Sequence, residues 1–304
     1  MEKFHNTFAG AFVDRAGLQR DDVEWINRAA SDPQSRFVPI WDDRCLASGE
    51  PLRAGLLAGG DLATFLGDQE QIFLGLFRER PTFALRIESE QTPLAPFGEF
   101  HDLRYLGGVL PADEANLVAH ARALVTWHQT HRHCSHCGAP LRNKSAGNSR
   151  ICTDNRCARQ VFPRVDPAII VLVSMGDRCL LGRKADWPEG RFSTIAGFVE
   201  PGESLEDAVR REVREETNID VDNIHYHSSQ PWPFPQALML GFHAIATTDD
   251  IQLLDGELAE AAWFTRKEIE SGYPKLPFKL SIARRLVDDW LLEKHAPPAG
   301  QVIL

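Results

Sequence analysis

The sequence lacks what a membrane-embedded or secreted chain needs. No apolar run approaches the ~20 residues that cross a bilayer, and the opening MEKFHNTFAG has no apolar stretch behind its lysine. Neither an anchor nor a secretory signal is expected. The closing QVIL matches no retention or peroxisomal signal. Positive charge is also short: 33 Lys and Arg face 43 Asp and Glu, a net −10. That balance argues against a broad electrostatic grip on nucleic acid, but leaves open a phosphate substrate met through cations. No internal repeat and no low-complexity segment is visible. Cysteine is sparse, and four of the six lie between positions 134 and 157. Without a secretory signal, such a cluster reads as a metal site rather than a disulfide framework. A cytoplasmic location is the expectation.

Composition is otherwise that of a soluble globular protein long enough for two or three domains. Residues 1–126 say least. VEWINRAA and DLATFLGD look partly helical, and IFLGLFRE and TFALRIE look like strands. Gly107–Gly108 reads as a turn, and Asp113 as the N-cap of a helix with Leu117, Ala121, Leu124 and Val125 on one side. The expectation is an α+β domain.

Residues 127–164 contain Cys134-x2-Cys137 and, further on, Cys152-x4-Cys157. Two knuckles at this separation suit a zinc ribbon with four thiolates in tetrahedral array, a closed and therefore structural site. His131, His133 and His136 are treated as bystanders. From Val165 onward the pattern changes. AIIVLVSM reads as a central strand, and Gly176–Asp177 turns it into CLLGRK. Further strands at VDNIHYHSS and LMLGFHAIAT and a last amphipathic helix, SIARRLVDDWLLEKH, complete a mixed α/β domain over 165–304.

Gly197 to Ile219 reads GFVEPGESLEDAVRREVREETNI. Ser204 can cap a helix, with Asp207 at the capping-box place. Leu205, Ala208, Val209 and Val213 recur at helical spacing. At about 100° per residue, Glu212, Glu215 and Glu216 share one arc. Three like charges held close repel unless a divalent cation bridges them or one stays protonated. Oxygen-seeking Mg²⁺ or Mn²⁺ suits such a set.

This stretch resembles the Nudix box, with Gly197, Glu203, Arg211, Glu212, Glu215 and Glu216 in the defining places. It departs at Asn218, where the family usually has glycine; Asn is the next best left-handed cap. SQPWPFP, from Ser229 to Pro235, is similar to the signature of the NADH pyrophosphatase (NudC-type) branch, with Ala237 where Ser is common. The ribbon ahead of the box belongs to the same branch.

The resemblance implies an α/β fold: a Nudix α/β/α sandwich preceded by a four-cysteine zinc ribbon and an N-terminal α+β domain. It also implies hydrolysis of the pyrophosphate bond of NADH or NAD⁺ to nicotinamide mononucleotide and AMP, removal of NAD caps from RNA in some members, and a homodimer. Glu212 and Glu216 are then the main ligands of Mg²⁺ or Mn²⁺, with Glu215 supporting. The carbonyl of Ala196 adds a ligand, and Glu257 is a distant one, with Glu260 its rival. Glu216 is the first choice of general base, with Glu215 and Glu257 as alternatives. Glu203 and Arg211 pair structurally. Phe198 and Phe162 become candidates to stack on the dinucleotide. Gln230, Pro231, Trp232, Pro233, Phe234, Pro235, Gln236 and Ala237 line the pocket, and Ala283 touches the nucleotide through its backbone.

Overall fold

The computed structural model describes residues 5–62, 70–88, 94–253 and 256–292. The chain divides into two compact units, Met1–Val165 with Pro231–Gln236, and Asp166–Gln230 with Ala237–Leu304.

The second unit is built on the strand Asp166–Met175. Side chains alternate across a strand. Ile169, Val171 and Val173 accordingly join one buried cluster with Ala208, Val209 and Val213 of the helix Leu205–Thr217. Ile170 and Leu172 join another with Ile282, Leu286, Val287 and Trp290 of the terminal helix Ile282–Leu291. Burial on both faces is why this strand reads as one apolar run. Each such side chain contributes about 1.5–3 kcal/mol by leaving water. The sheet order is Val221–Trp232, Ala237–Ala246, Asp166–Met175, Arg178–Arg183, Glu260–Thr265, with Ile195–Phe198 also on the central strand. A sheet between two helical layers is the expected α/β/α sandwich. Trp263 and Phe264 lie in its last strand, ahead of the helix Arg266–Glu270. The end of SIARRLVDDWLLEKH, from residue 293, lies outside the described residues.

The first unit repeats that topology. Its sheet runs Gln71–Phe77, Arg80–Arg86, Arg36–Trp41, Arg44–Ser48, with Glu99–His101 on Arg44–Ser48 and Leu57–Ala58 on Arg36–Trp41. Arg36–Trp41 lies parallel to Arg80–Arg86, as Asp166–Met175 lies parallel to Ala237–Ala246. A helix, Ala112–Thr130, follows the last strand in both senses: it holds the place that Ile282–Leu291 holds in the second unit. The sequence between Leu57–Ala58 and Gln71–Phe77, GGDLATFLGDQE, carries no paired glutamates at helical spacing. Of the helix expected at DLATFLGD, only Gly59–Leu62 is seen, and residues 63–69 lie outside the described ones.

Two local expectations are corrected. The long helix starts at Ala112 with Pro111 in the cap position, while Asp113 accepts hydrogen bonds from Arg78 at 3.1 and 2.6 Å. An acid in the first turn also suits the helix dipole, so Asp113 marks the region and not the cap. Gly107 and Gly108 lie inside the helix Leu103–Val109. A Cβ on Gly107 would sit 2.5 Å from the Phe8 ring, so this glycine permits close packing rather than a turn.

His128, buried at the end of the long helix, is bonded at Nδ1 to Glu70 (3.0 Å) and at Nε2 to the Gly147 carbonyl (2.7 Å). His128, followed by Asn143 and the charge of Arg150, pulls the Glu70 carboxyl down to about 2. A carboxylate depressed in the folded state stabilises above its unfolded value, here 4.5, and that contribution fades as pH falls from about 4.5 to about 2. With a third of the side chain in water, screening trims it to about 1–2 kcal/mol. Glu70→Gln is expected to lower the urea midpoint at pH 7, and its gap from the parent should narrow as pH falls below about 4.5 and close only near pH 2. A gap independent of pH would refute the charge argument.

Candidate active site and metal centres

The acidic helix is set by both its ends. Ser204 accepts the Asp207 N–H at 3.1 Å and donates its hydroxyl to the Asp207 carboxylate at 2.6 Å. Asn218 closes the helix in the left-handed conformation, φ 63°. Ala208, Val209 and Val213 are fully buried, which fixes the rotation of the helix against the sheet.

That rotation spreads the three glutamates across the boundary of the core. The Glu215 side chain is 54% exposed, that of Glu212 14%, and Glu216 as a residue only 2%. Gly197 explains how Glu212 fits. A Cβ there would lie 1.9 Å from the Glu212 carboxyl carbon, so the missing side chain is the space the carboxylate occupies. Burial raises the Glu212 pKa; Arg211 opposes this, while the charges of Glu215 and Glu257 add to it. Glu215 and Glu257 therefore lie near enough to add their charge to that of Glu212.

Arg211 is the hub of this site. It donates to Glu203 at 2.6 and 3.0 Å, to Glu212 at 2.9 Å, to Glu215 at 3.0 Å and to the Phe198 carbonyl at 2.9 Å. Glu203 also accepts the Glu200 N–H, tying the loop to the helix. The Arg211–Glu203 pair was expected; the reach to the other glutamates was not, because spacing alone does not show where a long side chain folds back. Sequence reading also passed over Lys184, which donates to Glu257 at 3.3 Å. Glu260 is taken up by Arg183, which leaves Glu257 as the loop acid that acts on Glu212. Donors at this end of the unit are all oxygen, the kind a hard dication takes, and the Gly197 cradle admits one of them. Glu212, Glu215, Glu216, Glu257 and the Ala196 carbonyl are the expected ligands, but among the described residues no three of these carboxylates gather within 4.8 Å of one another as the ribbon sulfurs do.

The four ribbon cysteines lie with all sulfurs within 4.8 Å of one another. The Cys134–Cys157 and Cys137–Cys152 separations are 3.8 and 3.4 Å. A tetrahedron of bonds near 2.3 Å has edges of about 3.8 Å, so the set fits zinc and is too wide for disulfides. N–H groups of His136 and Cys137 point at Cys134 and draw its pKa down to about 7, while burial pushes Cys152 up to about 12.

The remaining candidates fall in both units. In the second, Phe198 is 60% exposed. Gln230 is fully buried, donating to the Leu280 carbonyl and accepting the Ile282 N–H, both at 2.8 Å. It thus satisfies the start of the terminal helix, where N–H groups lack intrahelical partners. The Ala283 N–H is bonded to Ser281. Ala237 opens the strand Ala237–Ala246. In the first unit, Phe162 is 66% exposed. Trp232 and Phe234 pack against the first unit's core, at 6.4 and 6.3 Å from the Phe8 ring. Arg104 and Arg122 lie over the Phe234 ring at 4.0 and 5.0 Å. Arg122, itself buried, also donates to the Pro233 carbonyl. Pro231, Pro235 and Gln236 complete this segment, with a cis bond between Phe234 and Pro235.

Residues 163–290 match the Nudix domain family, and residues 34–127 match the NADH pyrophosphatase-like rudimentary Nudix domain. Along 298 residues, covering 91% of this chain and 92% of the relative, the sequence is 42% identical to the NAD-capped RNA hydrolase NudC of Mycobacterium bovis. It is 31% identical to the NAD-capped RNA hydrolase NUDT12 of Homo sapiens, covering 96% of this chain and 74% of that one. Among solved structures, a Nudix hydrolase from Nitrosomonas europaea is similar at a TM-score of 0.46 and 23% identity, over 56% of this chain and 96% of that one. The chain belongs to the Nudix hydrolases, in their NADH pyrophosphatase (NudC-type) branch. Its doubled strand order is thereby accounted for: the first unit contains a second, rudimentary Nudix domain. No described helix is long and apolar enough to cross a membrane.

Proposed function

We propose that this chain hydrolyses the pyrophosphate bond of NADH and NAD⁺, giving nicotinamide mononucleotide and AMP, and removes NAD caps from RNA. The observation that carries the reading is identity of 42% over nine tenths of the length of a relative named for that activity, together with a complete set of box glutamates. Residues 1–126, 127–164 and 165–304 are its units of organisation. The protein acts as a cytoplasmic homodimer.

Glu212, Glu215, Glu216, Glu257 and the Ala196 carbonyl hold Mg²⁺ or Mn²⁺, and Cys134, Cys137, Cys152 and Cys157 hold zinc. Held by these groups, a dication would supply charge to offset diphosphate oxygens and to acidify water. The chain's own residues do the rest. Glu216, nearly fully buried, takes the proton of the attacking water. Arg211 fixes Glu212 and Glu215, so the carboxylates are in place before substrate arrives. Phe198 and Phe162 stack on the dinucleotide. Residues 230–237 shape the pocket, held by the Arg122 bond to Pro233 and by Gln230 on the terminal helix. Ala283 contributes through the terminal helix.

NADH, NAD⁺, ADP-ribose and NAD-capped RNA, compared as kcat/KM with Mg²⁺ and with Mn²⁺, test the proposal. NADH and capped RNA are expected to exceed ADP-ribose at least tenfold. Failure to release mononucleotide and AMP from NADH, with zinc retained, would sink it.

A further inference from the structure

The ribbon reverses the charge of the chain it belongs to. Residues 131–164 hold Arg132, Arg142, Lys144, Arg150, Arg156, Arg159 and Arg164 against a single acid, Asp154, whereas the whole chain carries 33 Lys and Arg against 43 Asp and Glu. Zinc on four thiolates would leave two negative charges to offset, which accounts for part of the surplus and not the rest.

The sheet register sorts these cations by face. Arg142, Ile151 and Gln160 lie side by side across the three strands, and Asn143, Arg150 and Val161 form the neighbouring row on the opposite face. The second row is turned inward. Arg150 is buried and donates to the carbonyls of His128, His131 and Leu141, and Asn143 donates to Glu70. Arg142 and Lys144 stand on the outward face, where Lys144 bonds Gln160 at 2.9 Å. Arg132, Arg142, Lys144, Arg156, Arg159 and Arg164 are all exposed. Arg142 makes no ion pair among the described residues, and Asp154 faces Arg156, while Arg159, whose carbonyl accepts the Cys152 N–H, falls level with the inward row. The exposed Phe162, assigned above to the dinucleotide, follows two residues after Gln160.

We infer that the outward face of the ribbon binds the sugar-phosphate backbone of single-stranded RNA, the transcript that continues from an NAD cap. This rests on the reading of the chain as an enzyme acting on capped RNA. Cations along one open face suit a flexible polyanion, and a net-negative chain needs a local patch if it is to hold one. The free dinucleotide has no phosphate beyond its own pair, so it does not use this face. The ribbon thus separates two substrates that share one scissile bond.

The test is the double variant Arg142→Gln, Lys144→Gln, which leaves every cysteine and every residue of the acidic site in place. Three readouts are taken with zinc content verified: binding of a fluorescent, uncapped 20-nucleotide single-stranded RNA, kcat/KM on the same RNA carrying an NAD cap, and kcat/KM on NADH. RNA binding and capped-RNA turnover are expected to fall 10- to 100-fold at ~0.1 M salt, with NADH turnover within twofold of the parent. The slope of log affinity against log salt is expected to flatten by about 1.4, since each of the two phosphate contacts on a single strand contributes about 0.7. Unchanged binding of uncapped RNA overturns the inference, as does an equal loss on NADH, which would mark the two cations as structural. If the parent hydrolyses neither substrate, the proposed function falls, and the uncapped-RNA measurement still decides the role of the face.

Discussion

Glu216→Gln is expected to lower kcat on NADH roughly 10²- to 10⁴-fold, the range that a positioned acid–base group supplies. Glutamine keeps the shape of the side chain but cannot accept the proton. Glu216 is 2% exposed, and a carboxylate taken out of water is costly where a neutral amide is much less so. The variant's Tm should therefore be unchanged or higher while activity collapses, a combination that damage to the fold cannot produce. KM should move little. A variant that turns over at near-normal rate would transfer the role of base to Glu215 or Glu257, and Glu215→Gln and Glu257→Gln in the same assay would tell which.

Gly197→Ala is the second large effect, and it separates chemistry from stability in another way. Gly197 does not have the positive φ that favours glycine, so alanine is conformationally allowed. Its methyl group, however, would meet the Glu212 carboxylate at 1.9–2.2 Å. The carboxylate is the end of a flexible side chain and can move aside, so the cost to folding is modest. Its displacement by an ångström or more breaks the geometry Arg211 maintains, and misplacement on that scale costs about 10²-fold in rate. We expect kcat/KM on NADH to fall about 10²-fold, a higher Mg²⁺ concentration to be needed for half-maximal rate, and Tm to change by only a few degrees. Full activity would mean that Glu212 is not fixed where its partners put it.

Much of the site was legible because its chemistry is periodic. The box glutamates fall on one helical arc whatever the helix packs against, and the two cysteine pairs define their own tetrahedron. The purpose of Gly197 was not legible, since it depends on a carboxylate fifteen positions away folding back over a strand. Gln230 reads in sequence as part of a recognition segment, yet its amide is spent on the terminal helix; nothing in QPW announces that. Trp232 and Phe234 are expected from the sequence to line the pocket, and the structure packs them beside Phe8 and two arginines of the first unit. The doubled topology left no sequence repeat because strand order is a tertiary property. Alternation and turn chemistry can be kept while nearly every residue changes.

The assignment of Pro231–Gln236 to the first unit, with both flanks in the second, has a consequence for how the chain is made. Trp232 and Phe234 complete a core whose other members, from Phe8 to Val125, leave the ribosome much earlier. The amino-terminal portion therefore waits, with part of its apolar surface uncovered, until synthesis has passed through the acidic helix and the strand beyond it. A nascent chain interrupted between residues 165 and 230 would expose that surface to chaperones, and a truncation there would be expected to give a sticky product rather than a self-sufficient half.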